Sequence, residues 1–304
     1  MGLFIKERGD NINRKRVLDL IKELEQKKQV LEATNDVIFK GLMQDENMKD
    51  FVSFLISSVD GQDKKKILDE MVFVNTEVAN KSIGDKINIH DILIDINGNR
   101  VSLEMNNTND KKLEIRNLSH FFVGALNTIN LSYIDGEEKY FEQIHFDNVD
   151  IRGDFISMYR SLNVKTGEVD KYEKNFVKYR INMVKAFNKY YNCGKEGLTR
   201  FEKAIVIMML KNIKELRELS KGDEMLMKVE KKIEQMSKNP DIVGYLDEEK
   251  IREFGHMLDV KEAREEGISE GEKKTAKKMI DKGMAIQDIV DVTGLTVQEI
   301  EKLK

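Results

Sequence analysis

The stretch that decides the fold is Lys86 to Asn106, KINIHDILIDINGNRVSLEMN. Asn97-Gly98 is a strong signal for a two-residue hairpin, because a type I′ turn needs positive φ at both central positions. Pairing outward from this turn makes Asp91 face Glu104, and alternation along the strands sorts all the pairs onto two faces. The inward face is predicted to carry Ile92, Ile94, Ile96, Val101, Leu103 and Met105, and the other face Asp91, Asp95, Arg100, Ser102, Glu104 and Asn106.

The second face of this hairpin opposes two carboxylates, Asp91 and Glu104. Like charges directly opposed on a sheet are destabilising unless something neutralises them. Mg²⁺ prefers oxygen ligands and is commonly held by one or two carboxylates together with water and a substrate phosphate. The register therefore predicts a divalent metal site. The alternative from the pattern alone is a pair of solvated acids on an exposed face, beside an ordinary ion pair between Asp95 and Arg100.

Three stretches of the chain resemble a known family. Asp91 followed by Glu104-Met105-Asn106 resembles the acid pattern of the PD-(D/E)XK nuclease superfamily. Residues 34–40, Thr-Asn-Asp-Val-Ile-Phe-Lys, resemble the TND-x-x-FK opening of the Rpn family of recombination-promoting nucleases and transposases. The tail from Glu262 to Lys304 is similar to that family's usual ending, so the likeness covers most of the chain from Thr34 onward.

The resemblance implies a restriction-endonuclease-like αβββαβ core that hydrolyses phosphodiester bonds in DNA, in recombination or mobile-element biology. In that interpretation Asp91 and Glu104 bind Mg²⁺ or Mn²⁺, and Asn106 orients water or phosphate. Arg116 falls where the family often has a basic residue, so it is a candidate phosphate contact, with an ordinary surface arginine as the alternative. Asp36 is either an acid that reaches the metal cleft or a first-turn residue that suits the positive end of its helix.

Asn106 departs from the superfamily pattern, which has Lys two residues after the Glu, and from the Rpn branch, which often has Gln there. A lysine ammonium can offset developing negative charge, whereas an amide only orients groups by hydrogen bonds. Lys112 is a candidate for the missing charge, although the Lys111-Lys112 pair follows a polar loop and such pairs are commonly solvated. The alternative function is thus a catalytically weak or inactive relative that binds DNA or protein, and a helical scaffold is a third.

Composition narrows the class of protein further. The net charge of −4 over 304 residues argues against a broadly basic nucleic-acid coat, because non-specific DNA affinity comes mainly from Lys and Arg. A single cysteine, Cys193, rules out an internal disulfide, and with no apolar signal segment it indicates a cytoplasmic protein. No apolar run approaches the about 18 residues of a membrane span. The four histidines lack close ligand spacing, so zinc is not expected.

Hydrophobic periodicity predicts an α+β chain whose C-terminal half is mostly helical. A lead helix occupies 1–33, and the nuclease-like core occupies 34–160 in the order helix, three strands, helix, strand. Residues 161–260 form a helical region, in which FVKYRINMVKAFNKYY, residues 176–191, is expected to be one amphipathic helix.

The last segment, 261–304, is predicted to be a charged helix followed by a helix-turn-helix-like pair of short helices. Thr296 and Glu299 have the spacing of a capping box at the start of the second short helix. That helix, Val297 to Leu303, is too acidic for a persuasive DNA recognition helix. The helical C-terminal half is therefore better interpreted as a packing surface, through which homo-oligomers could form.

Overall fold

The computed structural model describes residues 14–74, 91–171 and 173–303. These residues form a mixed α+β structure with two compact units, one ending at Val243 and the other beginning at Gly244. Within the described ranges no helix has both the length and the apolar character needed to cross a membrane.

The first unit is built on one six-stranded sheet of mixed direction. Its strands are β1 (Met71–Val74), β2 (Ile92–Ile96), β3 (Asn99–Asn106), β4 (Phe141–Asp147), β5 (Ile156–Tyr159) and β6 (Phe176–Asn182). Their spatial order is β1-β2-β3-β4-β6-β5. The β3-β4 and β4-β6 pairs are parallel, while the remaining pairs are antiparallel, so β3 and β4 lie at the centre of the sheet.

Helices surround this sheet and form the second unit. They are α1 (Arg14–Gln26), α2 (Asp36–Met43), α3 (Lys49–Asp60), α4 (Lys64–Glu70), α5 (Lys111–Asp135), α6 (Met183–Cys193), α7 (Arg200–Met209), α8 (Ile213–Ser220), α9 (Glu224–Ser237), α10 (Pro240–Asp281), α11 (Ile286–Thr293) and α12 (Val297–Glu301). From α4 to β4 the described elements follow the expected order of helix, three strands, helix, strand.

The β2-β3 hairpin has the register that its turn predicts. Asn97 and Gly98 both adopt positive φ, 53° and 83°. Ile92 pairs with Leu103 and Ile94 with Val101, so the even spacing from the turn is kept. The predicted pairs that involve residues 86–90, and the part of the first predicted strand beyond Val74, lie outside the described residues.

Both faces of β3 are buried. Leu103 on one face and Ser102 and Glu104 on the other have no exposed surface. The alternative of a solvated second face is therefore excluded at this strand. A parallel pair such as β3 and β4 needs a crossover connection, and the crossover helix covers the second face.

That crossover helix is α5, and it approaches the sheet closely at Gly124. A Cβ atom on Gly124 would lie 2.2 Å from Cζ of Phe141 in β4, so a larger residue there would push the helix away. On the opposite face of the sheet, the Phe39 ring of α2 packs edge-on against Phe146 at 5.7 Å between centroids. The central strands therefore lie between helices on both sides.

The segment 176–191, expected to be one helix, is divided in two. Residues up to Asn182 form β6, in which Val177, Tyr179 and Ile181 are buried and alternate with more exposed Lys178 and Arg180. This alternation has the period of a strand. The alternating segment is too short for the sequence pattern to separate it from the helical period that follows. Asn182 then caps α6, since its side chain accepts a hydrogen bond from the Lys185 N–H. The sheet thus extends past residue 160, the predicted limit of the core.

The helices predicted for the tail are present, but the charged helix is longer than expected, because α10 begins at Pro240 instead of at about residue 261. α10 ends at Asp281, Gly283 adopts a positive φ of 73°, and α11 ends at Thr293 with Gly294 as its C-cap. Thr296 and Glu299 form the capping box that the sequence predicts for α12. Four buried residues hold these helices together in a small apolar core: Ala276, Ile289, Leu295 and Ile300.

Candidate active site

The two predicted acids come together at the end of the β2-β3 hairpin. Asp91 immediately precedes β2, and its Oδ2 accepts a hydrogen bond from the Met105 N–H at 3.0 Å. This bond holds the Asp91 side chain beside β3, next to Glu104. Both carboxylates are buried: Asp91 is 7% exposed and Glu104 is fully buried. The solvated-acid interpretation is therefore excluded for this pair.

Glu104 is held from two sides. The Ser102 hydroxyl donates a hydrogen bond to Glu104 Oε1 at 2.6 Å, and Nδ1 of His120 lies 3.3 Å from the same oxygen. Ser102 lies two residues away on the same strand face, whereas His120 comes from α5. The close approach of α5 at Gly124 thus also brings His120 to the carboxylate.

A lysine that the strand pattern does not contain reaches this pair from α2. Nζ of Lys40 lies 3.7 Å from Asp91 Oδ1 and 3.0 Å from the Asp36 carboxylate. The start of α2 is fixed in two ways. Asn35 accepts a hydrogen bond from the Val37 N–H, and Asn107, just after β3, donates one to the Thr34 carbonyl at 2.7 Å. The second bond ties α2 directly to the end of the acid strand.

The charges in this cluster perturb each other strongly. Burial and, to a smaller extent, the nearby Glu104 charge raise the pKa of Asp91 to about 6, against the opposing effect of Lys40. Burial alone would lower the pKa of Lys40, but the charges of Asp91, Asp36 and Glu104 outweigh it and raise the pKa instead. Lys40 is therefore an ammonium at neutral pH, held next to a carboxyl group that titrates close to neutrality.

Asn106 has its hydrogen-bonding capacity used within the protein. Its Nδ2 donates to Asp147 Oδ1 at 2.9 Å and lies 3.1 Å from His145 Nδ1, and its Oδ1 accepts from Asn117 Nδ2 at 2.8 Å. Burial lowers the pKa of His145 to about 4, so the ring is neutral and its Nδ1 serves as the acceptor. Asp147 in turn is bound by both Nε and Nη2 of Arg180.

The three other candidate site residues, Asp36, Lys112 and Arg116, have different surroundings. Asp36 lies in the first turn of α2 and pairs with Lys40, so it stands at the edge of the acid cluster and also raises the pKa of Asp91. Lys112 is exposed in the first turn of α5, where its backbone N–H is capped by Asp110. Arg116 is exposed one turn further along α5. The structure brings Asp36 to the acid pair by these contacts and gives Lys112 and Arg116 a surface position.

The donors present suit a hard divalent cation. Asp91 and Glu104 offer carboxylate oxygens, the ligand type that Mg²⁺ and Mn²⁺ prefer, and their mutual repulsion would be relieved by a bound cation. Within the described ranges no group of three or more His, Cys, Asp and Glu side chains has the arrangement of a metal site. The cluster would offer a cation two carboxylates, a number that Mg²⁺ sites completed by water and a phosphate commonly use.

Comparisons with protein-family models, with curated proteins and with solved structures find no match for this chain. The likeness to the Rpn family accordingly stands on the residues that carry it. Among these, Lys40 belongs to the TND-x-x-FK stretch. The sequence pattern assigned Lys40 no role, because the superfamily lysine is expected after the Glu and only Lys112, downstream of Glu104, was a candidate for it. The one available signal was the position of Lys40 one helical turn after Asp36, which places both side chains on one face of α2.

Proposed function

We propose that this protein is a metal-dependent DNA endonuclease with a restriction-endonuclease-like core, of the Rpn type. The observation that supports the proposal best is the buried cluster of Asp91, Glu104 and Lys40. Two acids and a lysine are the residue types of the PD-(D/E)XK pattern, and here the lysine comes from α2 instead of from the acid strand. A buried, mutually repelling acid pair costs stability, so its presence favours a functional role.

The residues of the cluster have distinct proposed roles. Asp91 and Glu104 would hold Mg²⁺ or Mn²⁺, which when bound would polarise the scissile phosphate. The Lys40 ammonium would offset negative charge that develops on the phosphate. Ser102 and His120 fix the orientation of Glu104, and the Asn106 network fixes the end of β3. Asn106 itself orients groups by hydrogen bonds, and we place the charge contribution on Lys40.

A plasmid-nicking assay with the purified full chain tests this proposal. We expect cleavage with Mg²⁺ or Mn²⁺ and none with EDTA. Asp91→Asn and Glu104→Gln should each reduce the rate by at least about 1,000-fold, because each removes a charged ligand while keeping the shape of the side chain. Glu142→Gln is the matched control, since Glu142 is an equally buried acid on the neighbouring strand and lies on the opposite sheet face.

The alternative is a catalytically weak or inactive relative that binds DNA or protein. Its supporting observation is that Asn106 is fully engaged by Asp147, His145 and Asn117. A wild-type protein that binds plasmid DNA without cutting it in either metal would favour this alternative. Cleavage that survives both Asp91→Asn and Glu104→Gln would overturn the assignment of the active site.

A further inference from the structure

One face of α5 is apolar and exposed along almost its whole length. We call it the α5 stripe; its six members share helical spacing and are between 44% and 89% exposed: Ile115, Leu118, Phe122, Leu126, Ile129 and Tyr133. No Asp, Glu, Lys or Arg occurs from Asn117 to Ile134. Single exposed apolar residues are ordinary, but a continuous exposed stripe indicates an interaction surface.

We propose that the α5 stripe packs against the α5 stripe of a second copy of this chain, in an antiparallel pair with twofold symmetry. A twofold interface uses the same patch on both subunits, so one self-complementary stripe is sufficient. The stripe is centred on position 124. Ile115 therefore lies opposite the partner subunit's Tyr133, and Phe122 lies opposite the partner subunit's Leu126.

The exposed area of the stripe is the size that a stable dimer needs. From their exposed fractions the six side chains present on the order of 700 Å², and each partner in a standard protein interface contributes about 800 Å². Interfaces between identical subunits are also enriched in apolar and aromatic residues and poor in charge at their centre. The uncharged stretch from Asn117 to Ile134 has this composition.

Charges at the two ends of α5 favour the antiparallel arrangement. Lys111, Lys112 and Arg116 lie at its N-terminal end, and the exposed Glu137 and Glu138 follow its C-terminal end. An antiparallel pair brings the basic end of each helix to the acidic end of the other and opposes the two helix dipoles. Glu137 already forms an ion pair with Lys139, and Glu138 with Lys174. We therefore expect these glutamates to favour the antiparallel orientation of the two helices.

A cavity beside the stripe is large enough to hold the side chain of the most exposed member of the stripe. The cavity has a volume of about 320 Å³ and is lined in part by Ile115, Leu118, Tyr159 and Arg180. In the antiparallel pair the partner subunit's Tyr133, whose counterpart here is 89% exposed, lies next to Ile115 and thus at the mouth of this cavity. An aromatic side chain inserted beside an arginine is typical of the strongest contacts in interfaces.

Sedimentation velocity of the full chain over about 0.1 to 100 μM tests the proposal. We expect a dimer whose Kd rises at least about 100-fold when Phe122→Glu and Leu126→Glu are combined, because each dimer would then bury four carboxylates. Val164→Glu is the control, since Val164 is 99% exposed and lies outside the stripe. Circular dichroism melting of each variant shows whether the subunit remains folded. A wild-type protein that is monomeric throughout, or a dimer unaffected by the double substitution, would overturn the proposal.

Cysteine cross-linking tests the orientation of the pair in a Cys193→Ser background. A mixture of Ile115→Cys and Tyr133→Cys proteins should form a disulfide-linked heterodimer, because these positions face each other only in the antiparallel pair. Ile115→Cys alone should stay uncross-linked. Efficient cross-linking of Ile115→Cys to itself would contradict the antiparallel arrangement.

Discussion

Two pairs of buried or partly buried carboxyl groups lie on opposite faces of the same sheet, and they differ in what surrounds them. Asp91 and Glu104 have a lysine ammonium 3.7 Å from one carboxylate. Asp60 at the end of α3 and Glu142 on β4 instead hydrogen-bond to each other, and the Glu142 Oε2 atom has no hydrogen-bond partner. Buried acids are thus present in both places, but a cation in close contact is described at the first.

The pKa values follow this difference. Burial, together with the charge and hydrogen bond of Asp60, raises the pKa of Glu142 to about 8, although the charge of Arg160 lowers it in part. The pKa of Asp91 rises only to about 6, because Lys40 and the Met105 N–H stabilise its charged form. At neutral pH Asp91 is therefore largely ionised, whereas Glu142 stays largely protonated. The contrast teaches that a neighbouring cation can keep a buried carboxyl group ionised at neutral pH.

The largest effect is expected when that cation is removed. Lys40→Ala should lower the cleavage rate by about 10 to 1,000-fold, the range typical for loss of one oriented stabilising group. It should also raise the pKa of Asp91, so the pH-rate profile should move to higher pH, which a merely structural role would not cause. Lys112→Ala is the control and should leave the rate unchanged. If Lys112→Ala lowers the rate and Lys40→Ala does not, the assignment of the charge to Lys40 is wrong.

The second effect concerns the pair without a close cation. A carboxyl group whose pKa is raised in the folded state binds more protons there than in the unfolded state, so stability falls as pH rises from about 4.5 to about 8. Glu142→Gln removes this loss. Its free energy of unfolding should exceed that of the wild type by on the order of a few kcal/mol at pH 9, and by much less at pH 4.5. Urea unfolding at the two pH values measures this, and equal pH dependence in both proteins would contradict it.

A smaller effect is expected at Asn106. Asn106→Ala removes the hydrogen bonds that Asn106 makes to Asp147, His145 and Asn117, so the free energy of unfolding should fall by about 1–3 kcal/mol. Asn163→Ala is a control, since Asn163 caps an exposed turn. Urea unfolding gives the stability, and plasmid nicking well below the midpoint gives the rate. A large loss of rate with unchanged stability would return Asn106 to a direct role in the reaction.

The smallest effect is on metal affinity. Asp91 must be ionised to bind a cation, and below its pKa of about 6 a proton competes for the site. The Kd for Mg²⁺, measured by calorimetry without DNA, should therefore rise about tenfold between pH 7 and pH 5. With Asp91→Asn the residual affinity should be weak and depend less on pH. A wild-type Kd that is constant from pH 5 to pH 7 would show that Asp91 is not a ligand.

Local sequence was sufficient to predict the hairpin and the tail. Asn97-Gly98 fixes the register that sets Asp91 beside Glu104, and Thr296 with Glu299 fixes the start of α12, because these signals act over a few residues. The role of Lys40 depends on where α2 packs against the end of β3, which no local pattern encodes. The strand 176–182 was missed for a related reason, since a seven-residue alternation that runs into a helix is overridden by the longer period.

The parallel pairing of β3 with β4 has a consequence for how this protein folds while it is being translated. β3 carries Glu104 but has only β2 as a neighbour until α5 and then β4 have been made, ending at Asp147. A chain that stops on the ribosome before that point contains Asp91, Glu104 and Lys40, but lacks the strand that completes their surroundings. Truncated products that end between residues 107 and 140 carry every residue of the cluster but lack β4, and under the proposed function they should be unable to cut DNA.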